Sequence, residues 1–155
     1  MTTSTANAYL KTRVMTASPQ ELRLLLLDGA LKFARQGQKG LEEKDPEATY
    51  NGISQCRNII LELMNSINTE IDPELALNMR SLYAFMYTEL VHASFERDVD
   101  RLVSVIELLE YERQTWVMLM EKLATEKDAG APAASAPAEP APSSATSNRS
   151  ISFEA

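Results

Sequence analysis

Three prolines spaced 27 residues apart, Pro19, Pro46 and Pro73, limit what this chain can fold into more than any other feature. Each follows a good helix cap, in Ser18-Pro19-Gln20-Glu21, Asp45-Pro46-Glu47-Ala48 and Asp72-Pro73-Glu74-Leu75. Proline is pre-shaped for the first helical position, where its missing N–H would have no partner anyway. The Ser or Asp before it can accept a hydrogen bond from a free amide of the first turn. Ser18 and Glu21 have the spacing of a capping box, and Asp98 supplies a fourth cap. This punctuation predicts helices over about Pro19–Lys44, Pro46–Asn68, Pro73–Glu96 and Val99–Asp128. Each would be roughly 34–45 Å long at about 1.5 Å per residue. Short connections make consecutive helices antiparallel, so the expected fold is all-α, an antiparallel four-helix bundle.

The apolar spacing agrees with helices. Leu22, Leu25, Leu26, Gly29, Ala30, Phe33, Ala34, Gly37 and Leu41 give the first helix a stripe at i, i+3, i+4. Ile53, Cys56, Ile60, Leu63 and Ile67 do so for the second, and Leu75, Met79, Leu82, Met86, Leu90 and Ala93 for the third. Val99, Leu102, Ile106, Leu109, Trp116, Met120 and Leu123 complete the expected core. No stretch shows strand alternation bounded by turns.

Composition argues against several chemistries. One Cys and one His in 155 residues leave no internal disulfide and too few N/S ligands for a usual zinc site. Glu89-Leu90-Val91-His92 has the E-x-x-H spacing of di-iron bundles, but those need two such pairs and the chain has a single His. Cys56 lies on an apolar stripe and reads as a small hydrophobe. With no nucleophile–base grouping and no phosphate loop, neither an enzyme nor a cofactor is expected. Residues 1–44 carry seven basic and four acidic groups, and residues 45–155 carry eight and 18, for a net charge of −7. No basic stripe for nucleic acid results. No apolar run approaches the roughly 18 residues of a membrane span, and Met1–Asn7 does not resemble a signal peptide, so a cytoplasmic location is expected.

What remains unusual is surplus apolar surface. Leu24, Leu27 and Leu31 form a second stripe beside the first helix's core one, Leu77, Phe85 and Tyr87 lie off the main stripe of the third, and Trp116–Met120 is apolar nearly all round. Helices apolar on several sides need something further to cover them. Two readings are open: a broad core with an oligomer interface, as in a helical adaptor or homo-oligomer, or a groove for an amphipathic partner helix. Residues 1–17 contain Ala8, Tyr9, Leu10, Val14 and Met15 but no start signal, and are expected to lie over the bundle as a capping segment. The bundle domain is expected over 18–128. Residues 129–155, with nine Ala, six Ser and four Pro, read as a disordered tail; within it Ile151-Ser152-Phe153 reads as plain solvated tail in preference to a weak docking motif.

Asn7-Ala8-Tyr9, Val14-x-Thr16-Ala17-Ser18-Pro19-x-Glu21-Leu22 and Leu26-Leu27-Asp28-Gly29-Ala30-Leu31, followed by Leu82-Tyr83-x-x-Met86, Leu90-x-x-Ala93, Asp98 and Leu108-Leu109 through Arg113-x-Thr115-Trp116, resemble the flagellar secretion chaperone S (FliS-type) family over about residues 6–124. Two positions depart from it: Leu27 stands where the family often has Tyr, and Glu112 where it often has Leu, which would trim the apolar face of the last helix. The resemblance implies a cytosolic, non-enzymatic helical bundle that binds the disordered C-terminal segment of flagellin, keeps it from polymerising, and assists its delivery to the flagellar export gate. It implies that Asn7, Ala8 and Tyr9, with Val14 behind them, belong to the client-binding motif. Leu24, Leu27 and Leu31 join the candidate binding residues on the strength of the second stripe alone. The oligomeric state stays open.

Overall fold

The computed structural model describes residues 2–135, which form five helices: α1 (Thr2–Thr16), α2 (Pro19–Glu42), α3 (Pro46–Asn65), α4 (Pro73–Glu96) and α5 (Val99–Ser135). The three prolines begin α2, α3 and α4 as the spacing requires. Ser18 Oγ accepts from Glu21 N at 3.1 Å while Ser18 N donates to Glu21 Oε2 at 3.2 Å, a complete capping box. Asp45 and Asp72 accept from Ala48 N and Leu75 N at 3.2 and 3.1 Å. Each cap satisfies an amide that the helix itself leaves without a partner.

Cross-helix contacts give the order of α2–α5. Along α2 and α5 the pairs Gln20–Trp116, Asp28–Arg113 and Arg35–Glu110 run in opposite directions. Tyr83–Glu112 and Glu89–Arg101 do the same for α4 and α5. Gly29 faces Ile59, Gly37 faces Ile53, and Gly40 faces Thr49 between α2 and α3. Arg57 lies over the Tyr87 ring between α3 and α4. The result is an up-down-up-down bundle in which each of the four helices neighbours the next and the last neighbours the first.

The core is Leu27, Ala30, Leu31 and Ala34 of α2, Ile53, Cys56, Ile60 and Leu63 of α3, Tyr83, Met86, Leu90 and Ala93 of α4, and Leu102, Val105, Ile106 and Leu109 of α5. Within α2 the buried phase therefore differs from the expected one. Leu27 and Leu31, assigned above to a second stripe, are fully buried, whereas Leu22, Leu24, Leu25 and Leu26 are half-buried. The small residues set this phase. A Cβ built on Gly52 would lie 2.6 Å from Phe33 O and 2.7 Å from Gly37 Cα, so α3 lies backbone to backbone against α2. With Gly37 held in that contact, the residues above it at helical spacing, Ala34, Ala30, Leu31 and Leu27, must face inward.

Three other expectations change. Leu75 is 54% exposed and Ala76 takes the buried position at the start of α4. The N-terminal segment is a helix in its own right, and residues 3–16 are exposed instead of lying over the second leucine stripe. Its apolar residues 8, 9, 10, 14 and 15 spread around the helix, so it has no single stripe to bury. The last helix continues past Asp128 to Ser135, Pro132 included, where the tail was expected to be without structure. Glu121 onward forms a separate unit whose side chains at 121–129 are exposed, Leu123 among them, although Leu123 was expected in the core. Residues 136–155, with the Ile151-Ser152-Phe153 motif, lie outside the described residues.

Candidate partner-binding surface

Apolar surface concentrates where α2 begins and α3 ends. Because Ser18 stops α1 from running into α2, the first two turns of α2 carry Leu22 and Leu26 along the bundle edge next to the connection between α3 and α4. Leu22, Leu26, Ile71 and Trp116 line an open cleft of about 410 Å³ there, with Pro19, Gln20, Ser66 and Asn68 at its margins. Ile71 is 82% exposed. The Trp116 indole N–H donates to Gln20 O at 3.0 Å, which holds the ring as one wall of the cleft.

A partly buried polar group supports that wall. Arg23 donates to Tyr83 Oη at 2.5 Å, Tyr83 Oη donates to Glu112 Oε1 at 2.7 Å, and Arg23 and Glu112 lie 3.8 Å apart. The guanidinium also sits over the Trp116 ring, 5.2 Å from its centroid. Burial and the bond to Glu112 push the Tyr83 phenol well above its ordinary range, so it stays a donor at every ordinary pH. Glu112 thus turns inward to bind a phenol, where a surface-trimming role was expected. The group ties α2, α4 and α5 together beneath the cleft.

The candidate residues fall into three sets. Asn7, Ala8, Tyr9 and Val14 are on α1, Tyr9 being 66% and Val14 41% exposed, and α1 joins α2 through Ala17 and Ser18 at the same end as the cleft. Leu24 is half-buried on α2. Leu27 and Leu31 are core residues, Leu27 with no exposed surface and Leu31 with little, although Leu31 lines an open hollow between α2 and α5 beside Asp28 and Arg113. Of the residues that line the cleft, the sequence places Leu22 and Leu26 in the core stripe, Trp116 both in the core and in the surplus apolar stretch of the last helix, and does not single out Ile71. One signal was available: Arg23 interrupts the leucine run of α2, and a charge there requires either solvent or a buried carboxylate.

The groups weighed above for chemistry are placed apart. Cys56 is buried among core side chains, and burial pushes its thiol up to about 12. His92 is exposed with Nδ1 3.8 Å from Glu96, whereas Glu89 binds Arg101 at 3.0 Å, so the E-x-x-H pair does not converge. Among the described residues no group of three or more His, Cys, Asp or Glu could hold a metal ion. Nor is any helix among them long and apolar enough to cross a membrane.

Comparison with known proteins gives the family. The family described as Flagellar protein FliS matches residues 1–123. The chain is 36% identical over 109 residues to the flagellar secretion chaperone FliS of Bacillus subtilis (strain 168), covering 70% of this chain and 80% of that protein. It is 29% identical over 123 residues to the protein of the same name from Salmonella typhimurium, covering 79% and 91%. The flagellar secretion chaperone FliSB of Pseudomonas aeruginosa is 29% identical over 107 residues, covering 69% and 85%. Both the matched span and the identity to the Bacillus protein place this chain in the FliS family of flagellar secretion chaperones.

Proposed function

We propose that this chaperone works in the cytoplasm on the C-terminal segment of flagellin, covering its apolar stripes until export. The observation that carries the reading is the exposed apolar surface gathered at one end of the bundle: Tyr9, Leu10, Val14 and Met15 on α1, with Leu22, Leu26, Ile71 and Trp116 around the cleft. Surface of this kind marks a site for another chain. An amphipathic client helix laid into the cleft would bury its stripe against Leu22 and Ile71, and α1, exposed along residues 3–16, would close over it with Tyr9. Ordering of the client costs entropy, which a large wrapped interface offsets. Catalysis plays no part. The loaded chaperone then presents its client to the flagellar export gate.

Trp116 is the single tryptophan and lines the cleft, so its fluorescence reports occupancy directly. A synthetic peptide covering the C-terminal segment of the organism's flagellin, titrated into the full chain, should shift the Trp116 emission saturably and add far-UV helicity beyond the sum of the parts. A lack of saturable change up to about 100 µM peptide, the range where even weak specific contacts register, would exclude flagellin's C-terminus as the client. The adaptor reading predicts that negative result.

A further inference from the structure

A second cleft lies at the other end of α2, about 27 Å along the helix from Arg23 at about 1.5 Å per residue. It runs between α3 and α4 as two connected hollows of about 560 and 190 Å³ that share Tyr50 and Ser94. Their lining includes three cations, Lys44, Arg57 and Arg97, and no carboxylate, in a chain of net charge −7. The nearby acids are occupied elsewhere: Glu96 and Asp98 pair with Arg101 at 3.3 and 3.4 Å, Glu43 pairs with Lys39, and Asp45 caps α3. Lys44 and Arg97 have no ion-pair partner among the described residues. Arg57 Nε is buried with no hydrogen-bond acceptor. Tyr50 and Phe95, 63% and 88% exposed, form the apolar rim.

Both free cations stand where a helix ends, Lys44 just past α2 and Arg97 as the C-cap of α4, positions that often take left-handed backbone. Lys44 and Arg97 are the two non-glycine residues with positive φ among those described, at 57° and 54°. Glycine is the residue that adopts this conformation without steric penalty. Two cations without an ion-pair partner at one cleft, beside a half-buried Arg57 that packs on the Tyr87 ring and whose Nε lacks an acceptor, form a surface short of negative charge. We infer that the α3–α4 cleft is a docking site for an acidic amphipathic segment of a second protein partner, distinct from the client at the other end. Carboxylates on one edge of that segment meet Lys44, Arg97 and Arg57, and its apolar edge packs on Tyr50 and Phe95. The inference needs the chaperone to have a client surface elsewhere but not that the client be flagellin.

The probe is a fluorescein-labelled helical peptide with glutamates along one edge of a leucine–phenylalanine stripe, followed by anisotropy on the full-length chain. Binding should weaken steeply with salt, and the double variant K44G/R97G should bind at least about tenfold more weakly. Glycine relieves the left-handed positions, so this variant folds at least as well as the parent and its loss cannot be ascribed to unfolding. Titration of Trp116 by the flagellin peptide should be unchanged in K44G/R97G. Several results would overturn the proposal: no binding of the glutamate probe, equal binding of its lysine counterpart, or undiminished binding by K44G/R97G. Displacement of the probe by the flagellin peptide would make the cleft part of the client surface and overturn the second-partner assignment, without touching the client reading.

Discussion

Replacing Gly52 with alanine should destabilise the bundle more than any other single-methyl addition to its helices. The Cβ would sit 2.6 Å from Phe33 O and 2.7 Å from Gly37 Cα, where ordinary van der Waals contact begins at 3.4 Å. All of the atoms it meets belong to the α2 backbone, so no rotamer change relieves the clash. α2 and α3 must instead part by nearly an ångström along their closest contact. A gap of that size forfeits about a quarter to a half of each affected dispersion contact. Overpacking costs about 1–3 kcal/mol, and rigid backbone on both sides puts Gly52 at the upper end, near 3 kcal/mol. Alanine returns up to about 1 kcal/mol of helix propensity. The net loss is about 2 kcal/mol, or roughly 8 °C in Tm for a domain of this size.

Gly29 supplies the control. A Cβ there meets Ile59 Cδ1 at 3.2 Å, the far end of a side chain that can turn away. Gly29→Ala should therefore be neutral or gain up to about 1 kcal/mol. Denaturant unfolding of the two variants, followed by far-UV circular dichroism, reads the difference as opposite shifts of the midpoint at constant m. A G52A midpoint at or above the parent's would refute the backbone-to-backbone contact. Equal losses in both variants would refute the distinction between backbone and side-chain neighbours.

Other substitutions separate fold from binding. Leu27→Ala, in the core, should cost about 2–5 kcal/mol, whereas Tyr9→Ala on exposed α1 should leave the denaturation midpoint unchanged and weaken the flagellin peptide in the Trp116 titration; a shift in midpoint for Y9A would show that α1 packs on the bundle. Tyr83→Phe removes a hydroxyl that both donates to Glu112 and accepts from Arg23, and should cost about 1–3 kcal/mol by thermal unfolding. The Tyr83 phenol ionises later in the folded chain than its ordinary value of 10.0, so only the unfolded state releases its proton above that pH. Stability is therefore intact below pH 10 and falls above it by up to about 1.4 kcal/mol per pH unit, a decline that Y83F should lack. Cys56, buried and pushed up to about 12, should resist iodoacetamide at pH near neutral in the native chain and react once denatured, which intact-mass measurement resolves.

Local signals carried most of the fold. The starts of α2, α3 and α4 were legible because a cap residue followed by proline acts within one turn, independently of anything distant. The stripe of α3 was legible because Ile53, Cys56, Ile60 and Leu63 keep the three- and four-residue spacing of one helix face. The phase of α2 was not. Five of its first nine residues are leucines, so every face satisfies an apolar period, and what decides between faces is Gly52 on another helix. The cleft was illegible for the same reason: Leu22, Leu26, Ile71 and Trp116 come from three places in the chain and are brought together only by packing. The Asn7-Ala8-Tyr9 motif was legible as a pattern, but its exposure on a separate helix was not, since a 15-residue helix without caps carries no local start signal.

The contacts that hold the bundle together use almost none of its exposed apolar residues. α2 and α3 are joined through Gly37, Gly40 and Gly52, where the backbones meet. α2, α4 and α5 are joined by Arg23, Tyr83 and Glu112, and the α2–α5 seam by Asp28 with Arg113 and Arg35 with Glu110. Each of these acts from within the bundle or along a seam between neighbours. Ile71, Leu75, Leu77, Phe85 and Met118, each more than half exposed, could be made polar without opening a cavity or leaving a buried group unpaired. Stability alone therefore gives no reason for an apolar residue at these positions, and solubility gives a reason against it. On the function proposed above, their apolar character has its reason outside the bundle, in a client chain that packs on them.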